Sequence, residues 1–259
     1  LFDNDLIPMR PPSAYDREVA ALSQLEFSRF FDRLTLQQLA GYVALSTFTR
    51  RSAIYRTGED RDAVYGLVSG HVKLTREDEH GGRVLLEILP PGTVFGEDAL
   101  FTNGRRERTA LAHDMVMVVR LGKSDVLRMM NEFPRLNEYF FRLVGERLLR
   151  AEERICDLSL DGIASRLAKV LLDLATRYGT PQENGGRLIS LRIPHRELAD
   201  LVGSTRESVT MHLNDLRRRE IVEFSNRRIL ILNPPALTTQ AQTQSRRADT
   251  ADQDESDDE

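Results

Sequence analysis

PRLNEYFFRLVGERLLRAEERICDLSL, residues 134–160, is the longest helical pattern in the chain, and the sequence changes character on either side of it. Phe140, Val144, Leu148, Ala151, Ile155 and Leu158 recur at intervals of four, four, three, four and three, which places them on one helical stripe. Pro134 suits a first helical position, where its missing N–H would have no partner. At about 1.5 Å per residue the segment runs roughly 40 Å, longer than a small domain needs to cover its own core. A second copy of the chain is the expected cover, so Phe140, Val144, Leu148, Ile155 and Leu158 form the expected dimer interface.

Working outward toward the N-terminus, residues 46–121 are short β-rich runs, among them AVYGLVSGHVKL, GRVLLEILP and TALAHDMVMVVRL, separated by glycine and charged turns. Strands about ten residues apart predict an antiparallel sandwich or barrel. LEFSRFFDRLTLQQLAGYV before them reads as one or two short amphipathic helices, and KSDVLRMMNEF after them as a helix leading to Pro134. Residues 1–22, rich in proline and charge, read as a flexible arm. On the other side, GIASRLAKVLLDLATRYG is an amphipathic helix stopped by Gly179, and LISLRI is a short strand. Two helices in tight succession and a hairpin turning at Ser225-Asn226 complete the pattern. The expected fold class is α+β, with an antiparallel sandwich or barrel over 23–130, a dimerisation helix over 131–160, a helix-turn-helix with a flanking wing-like hairpin over 161–237 and an acidic, disordered tail over 238–259.

The charge distribution agrees with that division. The net charge of −4 hides a tail, residues 241–259, in which seven acids face only Arg246 and Arg247. Between Arg187 and Leu230 there are nine arginines against six acids, a local excess compatible with a nucleic-acid partner. One cysteine, Cys156, excludes an internal disulfide and any multi-cysteine metal site. No apolar run approaches the roughly 18 residues of a membrane span, and LFDNDLIPMRPPS has no signal-type core, so no membrane partner and a cytoplasmic location are expected.

HRELADLVGSTRESVTMHLNDLRRR, residues 195–219, carries the chemistry of a DNA reader. Leu198, Leu201 and Val202 give one helix an apolar side; Val209, Leu213 and Leu216 give the next one, and Gly203 supplies the turn between them. Burying those faces leaves Arg206, Glu207, Thr210, Met211 and Asn214 outward on the half that a helix-turn-helix protein inserts in the major groove. Arg206 can donate twice to guanine, Glu207 can accept from cytosine N4, and Thr210 can meet a base or a thymine methyl. Arg196, Thr205 and Ser208 would hold phosphates, and Arg227 and Arg228 would reach the flanking backbone. Two roles stay open for Glu207. It reads a base, or it is the return half of a capping box begun at Ser204. Arg217 to Arg219 equally suit a solvated face.

Three stretches in this order, YRTGEDRDAVYGLVSGHVKL, FGEDALFTNGRRERTALA and HRELADLVGSTRESVTMHLNDLRRREIVE, resemble the cyclic-AMP receptor/FNR superfamily of bacterial transcription regulators, over about residues 25–237. The resemblance implies that residues 23–130 are an antiparallel β-roll of the cyclic-nucleotide-binding type and residues 161–237 a winged helix-turn-helix, in a homodimer that reads palindromic, TGTGA-like sites on double-stranded DNA and works with RNA polymerase. Its polymerase contact would be the loop from Tyr178 to Arg187. Met211 departs from the pattern. It stands where the family often places a guanine-reading arginine, so the base opposite it is expected to be less strictly specified.

The same resemblance makes FGEDALFTNGRRERTA the effector cassette, with Gly96, Glu97, Asp98 and Ala99 leading into a short helix, Arg108 and Thr109 as the phosphate-binding pair, and Glu97 at the ribose position. Those matches imply cyclic AMP. Ala151 and Glu152, however, stand where cyclic-AMP-binding members offer a Thr-Ser pair to adenine. A longer loop before Arg108, with Arg147 and Glu152 five apart, is similar to the 2-oxoglutarate-sensing nitrogen-control branch, which does not usually carry Glu97. A third reading has Arg108 paired internally with Glu97 or Glu152 and no effector. Cys156 reads as a packing residue, and His71 and His113 lack the companions of a metal or haem site. No nucleophile, base and oxyanion arrangement is visible, so no enzymatic activity is expected. The alternative from another class is a cyclic-nucleotide-responsive module whose C-terminal domain binds protein.

Overall fold

The computed structural model describes residues 16–78, 80, 82–183, 185–225 and 228–243. The chain forms two compact units, Leu1–Arg147 and Leu148–Glu259. In the first lie α1 (Asp16–Leu22), α2 (Arg33–Leu39), β1 (Val43–Phe48), β2 (Ala53–Tyr55), β3 (Ala63–Ser69), β4 (Val72–Glu77), β5 (Arg83–Leu89), β6 (Val94–Phe95), α3 (Asp98–Phe101), β7 (Thr109–Ala112), β8 (Val116–Gly122) and α4 (Lys123–Glu132). The long helix α5 (Pro134–Leu160) contains the boundary between the units. The second adds α6 (Ile163–Tyr178), β9 (Gly179–Pro181), β10 (Arg187–Ile189), α7 (His195–Val202), α8 (Arg206–Arg218), β11 (Val222–Ser225), β12 (Arg228–Ile231) and α9 (Pro234–Gln242). Among the described residues no helix is long and apolar enough to cross a membrane.

In the first unit the strands make two antiparallel sheets, β1-β8-β3-β6 and β2-β7-β4-β5. β3 shows why the run AVYGLVS does not alternate with polar residues. Ala63, Tyr65 and Leu67 point into a core shared between the sheets, with Val72, Leu74, Phe95 and Val118, whereas Val64 points into a second core with Leu22, Leu39, Val126 and Leu143. A strand covered on both faces has no polar side to display. α5 joins that second core through Leu136, Tyr139, Phe140 and Leu143, one helical face of four buried residues. Phe140 is only 4% exposed within its own chain, which removes it from the expected dimer interface.

Two expected boundaries move, and one expected loop is a hairpin. The arm expected over 1–22 ends by Asp16, because α1 buries Ala21 and Leu22; residues 1–15 lie outside the described residues. Of the tail expected over 238–259, the first residues are helical instead, since α9 extends to Gln242 with Leu237 and Ala241 buried; residues 244–259 lie outside the described ones. The segment from Tyr178 to Arg187 is a hairpin rather than a loop: β9 pairs with β10 through Arg187↔Pro181, Leu188↔Thr180 and Ile189↔Gly179.

The second unit packs α6 (Leu167, Ala168, Leu171, Leu174), α7 (Leu198, Val202) and α8 (Val209, Leu213, Leu216) with the sheet β11-β12-β10-β9. Gly179 ends α6, as expected. Its backbone is extended, and a Cβ there would collide with the carbonyl of Ala175.

If α1 belongs to the folded body, Leu22→Ala should lower the free energy of unfolding by about 2–4 kcal/mol in a urea titration, the usual cost of emptying a buried leucine site. A change under about 0.5 kcal/mol would return residues 16–22 to the arm.

Candidate effector cassette and nucleic-acid interface

The cassette is built where β6 turns into α3. Gly96 adopts a φ of +74°, and a Cβ on it would lie 3.0 Å from Arg106 Nη1 and 3.3 Å from the Tyr65 ring, so glycine serves both the turn and the close approach. Glu97 follows at 4% exposure, close to two cations. Its Oε1 pairs with Arg147 Nη1 and lies 3.5 Å from Arg108 Nη2, while its Oε2 is buried without a partner among the described residues. Burial pushes the Glu97 carboxyl up, but Arg147 and then Arg108 outweigh it and hold its pKa below the usual glutamate value. The reciprocal holds for Arg147, which burial pulls down and Glu97 more than restores. Arg147 also donates to the Val94 carbonyl at 3.0 Å.

Gly96, Glu97, Asp98, Ala99, Arg108, Thr109 and Arg147 are therefore brought into one neighbourhood, but two of them are occupied differently from expectation. The Thr109 hydroxyl accepts from the Thr57 N–H at 3.0 Å and sits 3.1 Å from the Thr57 hydroxyl. The N–H groups of Ala99 and Leu100 donate to the carbonyls of Gly96 and Glu97, so they are not spare anion ligands. Arg108, with 28% of its side chain exposed, keeps most of its donors for something else. Ala151 and Glu152 are exposed positions of α5 in the second unit.

Sequence reasoning missed two arginines. Arg106, 2% exposed, donates to the carbonyls of Gly96 (3.0 Å) and Ala63 and to Asp98 Oδ1 (2.9 Å), and lies 4.3 Å over the Tyr55 ring. Arg61 grips the loop between α3 and β7 through Asp98 (3.2 Å), Glu107 (3.4 Å) and Thr102. Arg106 and Arg108 share Asp98 Oδ1, at 2.9 and 3.9 Å.

Elsewhere in the β-roll, His71 Nδ1 pairs with Asp114 at 2.7 Å. Burial, followed by Lys73, pulls His113 down to about 4, which keeps it neutral near pH 7. Among the described residues no group of three His, Cys, Asp or Glu side chains converges to hold a metal. Cys156 is an exposed free thiol in the single chain.

In the reader, α7 ends at Gly203, whose φ of +70° is the left-handed turn the sequence required. Thr205 caps α8: its hydroxyl oxygen accepts from the Ser208 N–H at 3.2 Å and donates to the Ser208 hydroxyl at 3.0 Å. With the cap at Thr205, Glu207 falls one position short of a capping box, and no described residue pairs with it. Arg196, Arg206, Glu207, Met211 and Asn214 are exposed, Met211 to 61%, while Val209, Leu213 and Leu216 are buried. The Thr210 hydroxyl is taken: it donates to the Arg206 carbonyl at 2.8 Å and meets His195 Nδ1 at 2.9 Å. Arg228 opens β12; Arg227 and Asn226 lie outside the described residues.

A cyclic nucleotide-binding domain profile matches residues 45–133, and a Crp-like helix-turn-helix domain profile matches residues 165–239. The CRP-like cAMP-activated global transcriptional regulator of Mycobacterium tuberculosis is 31% identical over 194 residues, 75% of this chain and 86% of the relative. The chain belongs to the CRP/FNR family of transcription regulators. A second branch is about as similar to this CRP/FNR chain: the global nitrogen regulator of Synechocystis is 33% identical over 198 residues, 76% of this chain and 88% of that one. A solved CRP/FNR-family regulator of Thermus thermophilus superposes with a TM-score of 0.66 at 28% identity, covering 78% of this chain and all of that one (100%).

The depressed Glu97 pKa fixes a sign. Its contribution to stability is present above the ordinary glutamate value near 4.3 and is lost as pH falls through the lower folded value. Thermal midpoints measured from pH 6 to 3 should fall less steeply for Glu97→Gln of this CRP/FNR regulator than for the parent. Parallel curves would mean that the carboxylate is not held by its arginines.

Proposed function

We propose that the chain is a homodimeric, sequence-specific regulator, working in the cytoplasm, that reads a palindromic, TGTGA-like promoter site through Arg206 and Glu207. The observation that supports it most is the first turn of α8, where these two residues are exposed side by side and Glu207 has no partner among the described residues. A guanidinium and a free carboxylate on one turn match guanine and cytosine edges of the major groove. Met211 offers only apolar contact and relaxes the choice of base opposite it. Arg196, Thr205, Ser208 and Arg228 hold the phosphate backbone, with Asn214 further along the same face. Thr210 has its methyl group left for a base, since its hydroxyl is engaged.

The dimer seam runs along α5 from Phe141, which replaces Phe140 as its first member. Phe141, Val144, Leu148, Ala151, Ile155 and Leu158 follow one another at intervals of three, four, three, four and three, a heptad pattern. The five large members are exposed to 71, 39, 59, 63 and 45% in the single chain.

For the sensor we propose an anionic effector with a hydroxyl group, with cyclic AMP the first candidate. A buried carboxylate oxygen without a partner suits a hydroxyl donor, and Arg108 suits an anion. The Mycobacterium tuberculosis relative is named as cAMP-activated. A second reading, control without an effector, draws support from the pairing of Glu97 with Arg147 and from the contacts of the Thr109 hydroxyl with Thr57. RNA polymerase is the proposed partner of the β9–β10 hairpin.

In a gel shift on a TGTGA-type palindrome, Arg206→Ala should weaken binding by about 5- to 100-fold, mostly at the base it reads, as one lost bidentate pair does. Glu207→Ala should relax specificity at its own base. Unchanged binding in both variants would overturn the DNA-reading proposal. Calorimetry with cyclic AMP and with 2-oxoglutarate separates the sensor readings. Heat with cyclic AMP that Arg108→Ala abolishes supports the nucleotide, heat with 2-oxoglutarate alone supports the nitrogen-type effector, and no heat with either supports control by protein abundance.

A further inference from the structure

His195 is the first residue of α7, half-buried, and it joins three pieces of the reader that the sequence keeps apart. Its Nδ1 lies 2.9 Å from Thr210 Oγ1 on α8, and its ring centroid is 5.9 Å from that of Phe224 on β11, tilted by 43°. The direction of the first contact follows from the second hydrogen bond of the same hydroxyl. Thr210 Oγ1 lies 2.8 Å from the Arg206 carbonyl, which can only accept, so the hydroxyl proton points there. Thr210 Oγ1 then has lone pairs but no proton for His195, and Nδ1 must donate. His195 is thus fixed with its proton on Nδ1 and its lone pair on Nε2. Burial, with the nearby Arg206 cation adding to it, lowers the His195 pKa, which favours the neutral ring that has such a tautomer.

We propose that His195 is a positioning residue of the DNA reader: through Thr210 it holds the first turn of α8, and through Phe224 it sets that turn against the wing. The inference rests on the DNA-reading proposal above, because it is the presentation of Arg206 and Glu207 that His195 governs. Without the bond, Thr210 is free to rotate, and the Arg206 carbonyl loses the side-chain hydroxyl that steadies it at the helix start. A side chain that reads a base bidentately tolerates little angular drift, so the cost falls on discrimination between bases more than on general affinity for DNA.

Two measurements test this on the full chain. The first is nitrogen NMR of protein labelled with 15N-histidine, which reports the tautomer without any DNA. The expected spectrum has Nδ1 protonated and Nε2 bare for His195, and Thr210→Val should abolish that preference. A ring protonated on Nε2, or one indifferent to Thr210→Val, would overturn the relay. The second is the affinity ratio between a TGTGA-type palindrome and the same duplex with the base opposite Arg206 exchanged. His195→Ala should reduce this ratio about five-fold, the worth of one hydrogen bond of about 1 kcal/mol. His195→Asn, whose amide nitrogen falls where Nδ1 was, should restore it within about two-fold, a span of about 0.4 kcal/mol. Thr210→Val should reproduce the loss, and the double variant should be no worse than either single one. An unchanged ratio in His195→Ala, or no rescue by asparagine, would overturn the positioning role. A parent that does not discriminate between the duplexes would instead overturn the DNA-reading proposal and the role built on it, with the NMR arm still deciding the hydrogen-bond relay.

Discussion

The ion pair between Glu97 and Arg147 is the constraint on which the first unit depends. The two side chains are exposed to only 6 and 15%, so both ions have given up most of their water. Such a pair adds little net stability by itself, but removing either member leaves a buried charge, at a cost of about 3–5 kcal/mol. Glu97 lies buried between β6 and α3, and Arg147 is the last residue of the unit, midway along the long helix. The pair therefore makes the charge of the cassette and the seating of α5 one electrostatic problem. A ligand group that takes either side chain must leave the other with a substitute partner.

A second set of contacts keeps that pair in place. Arg106 spends its guanidinium on two carbonyls and on Asp98, and its flat face lies against Tyr55, which stands beside Tyr65 and Phe95. An unpaired cation at this depth would be intolerable, so the turn at Gly96 and the strand at Ala63 are held in register by the need to satisfy it. Arg61 does the same for the loop that follows α3. The cassette is thus stiffened by side chains that never need to touch an effector, which leaves Arg108 as its one half-open cation.

Much of this was legible before any coordinates. The α+β class, the two-part organisation, the turn at Gly203 and the outward face of α8 follow from periodicity and turn chemistry, which act over a few residues. What was not legible depends on contacts across long sequence separations. Thr109 was read as a ligand-facing hydroxyl, but Thr57, 52 residues away, already occupies it. Thr210 was read as free, but His195 reaches it from the start of the preceding helix, 15 residues back. Leu22 falls in the expected arm because few apolar residues precede it, yet the seven residues of α1, about two helical turns, are enough to bury Ala21 and Leu22 together. Local pattern shows which face a residue occupies; it does not show which distant partner is already there.

Phe140 and Phe141 show that limit most sharply. Both are phenylalanine, both fit a helical stripe with Val144, and they differ by one step of about 100° around the axis. Phe140 belongs with Leu136, Tyr139 and Leu143 on the face that enters the core of the first unit, whereas Phe141 begins the exposed heptad. The distinction matters for the helix itself. Its buried residues all precede Arg147, and beyond that point Leu148, Leu149, Ile155 and Leu158 stand exposed to between 45 and 66%. An uncovered helical segment of this length is marginal in water. Within the second unit its ties include Arg154 donating to the Asp200 carbonyl, Asp157 pairing with Lys169 of α6, and Leu158 lying against Gly203. Burying each of those leucine and isoleucine side chains is worth about 1.5–3 kcal/mol, several times what helix propensity can supply. The continuity of α5 past Arg147 is therefore coupled to whatever covers its heptad. A second copy of the chain would stabilise the helix and bring together two readers by the same contacts.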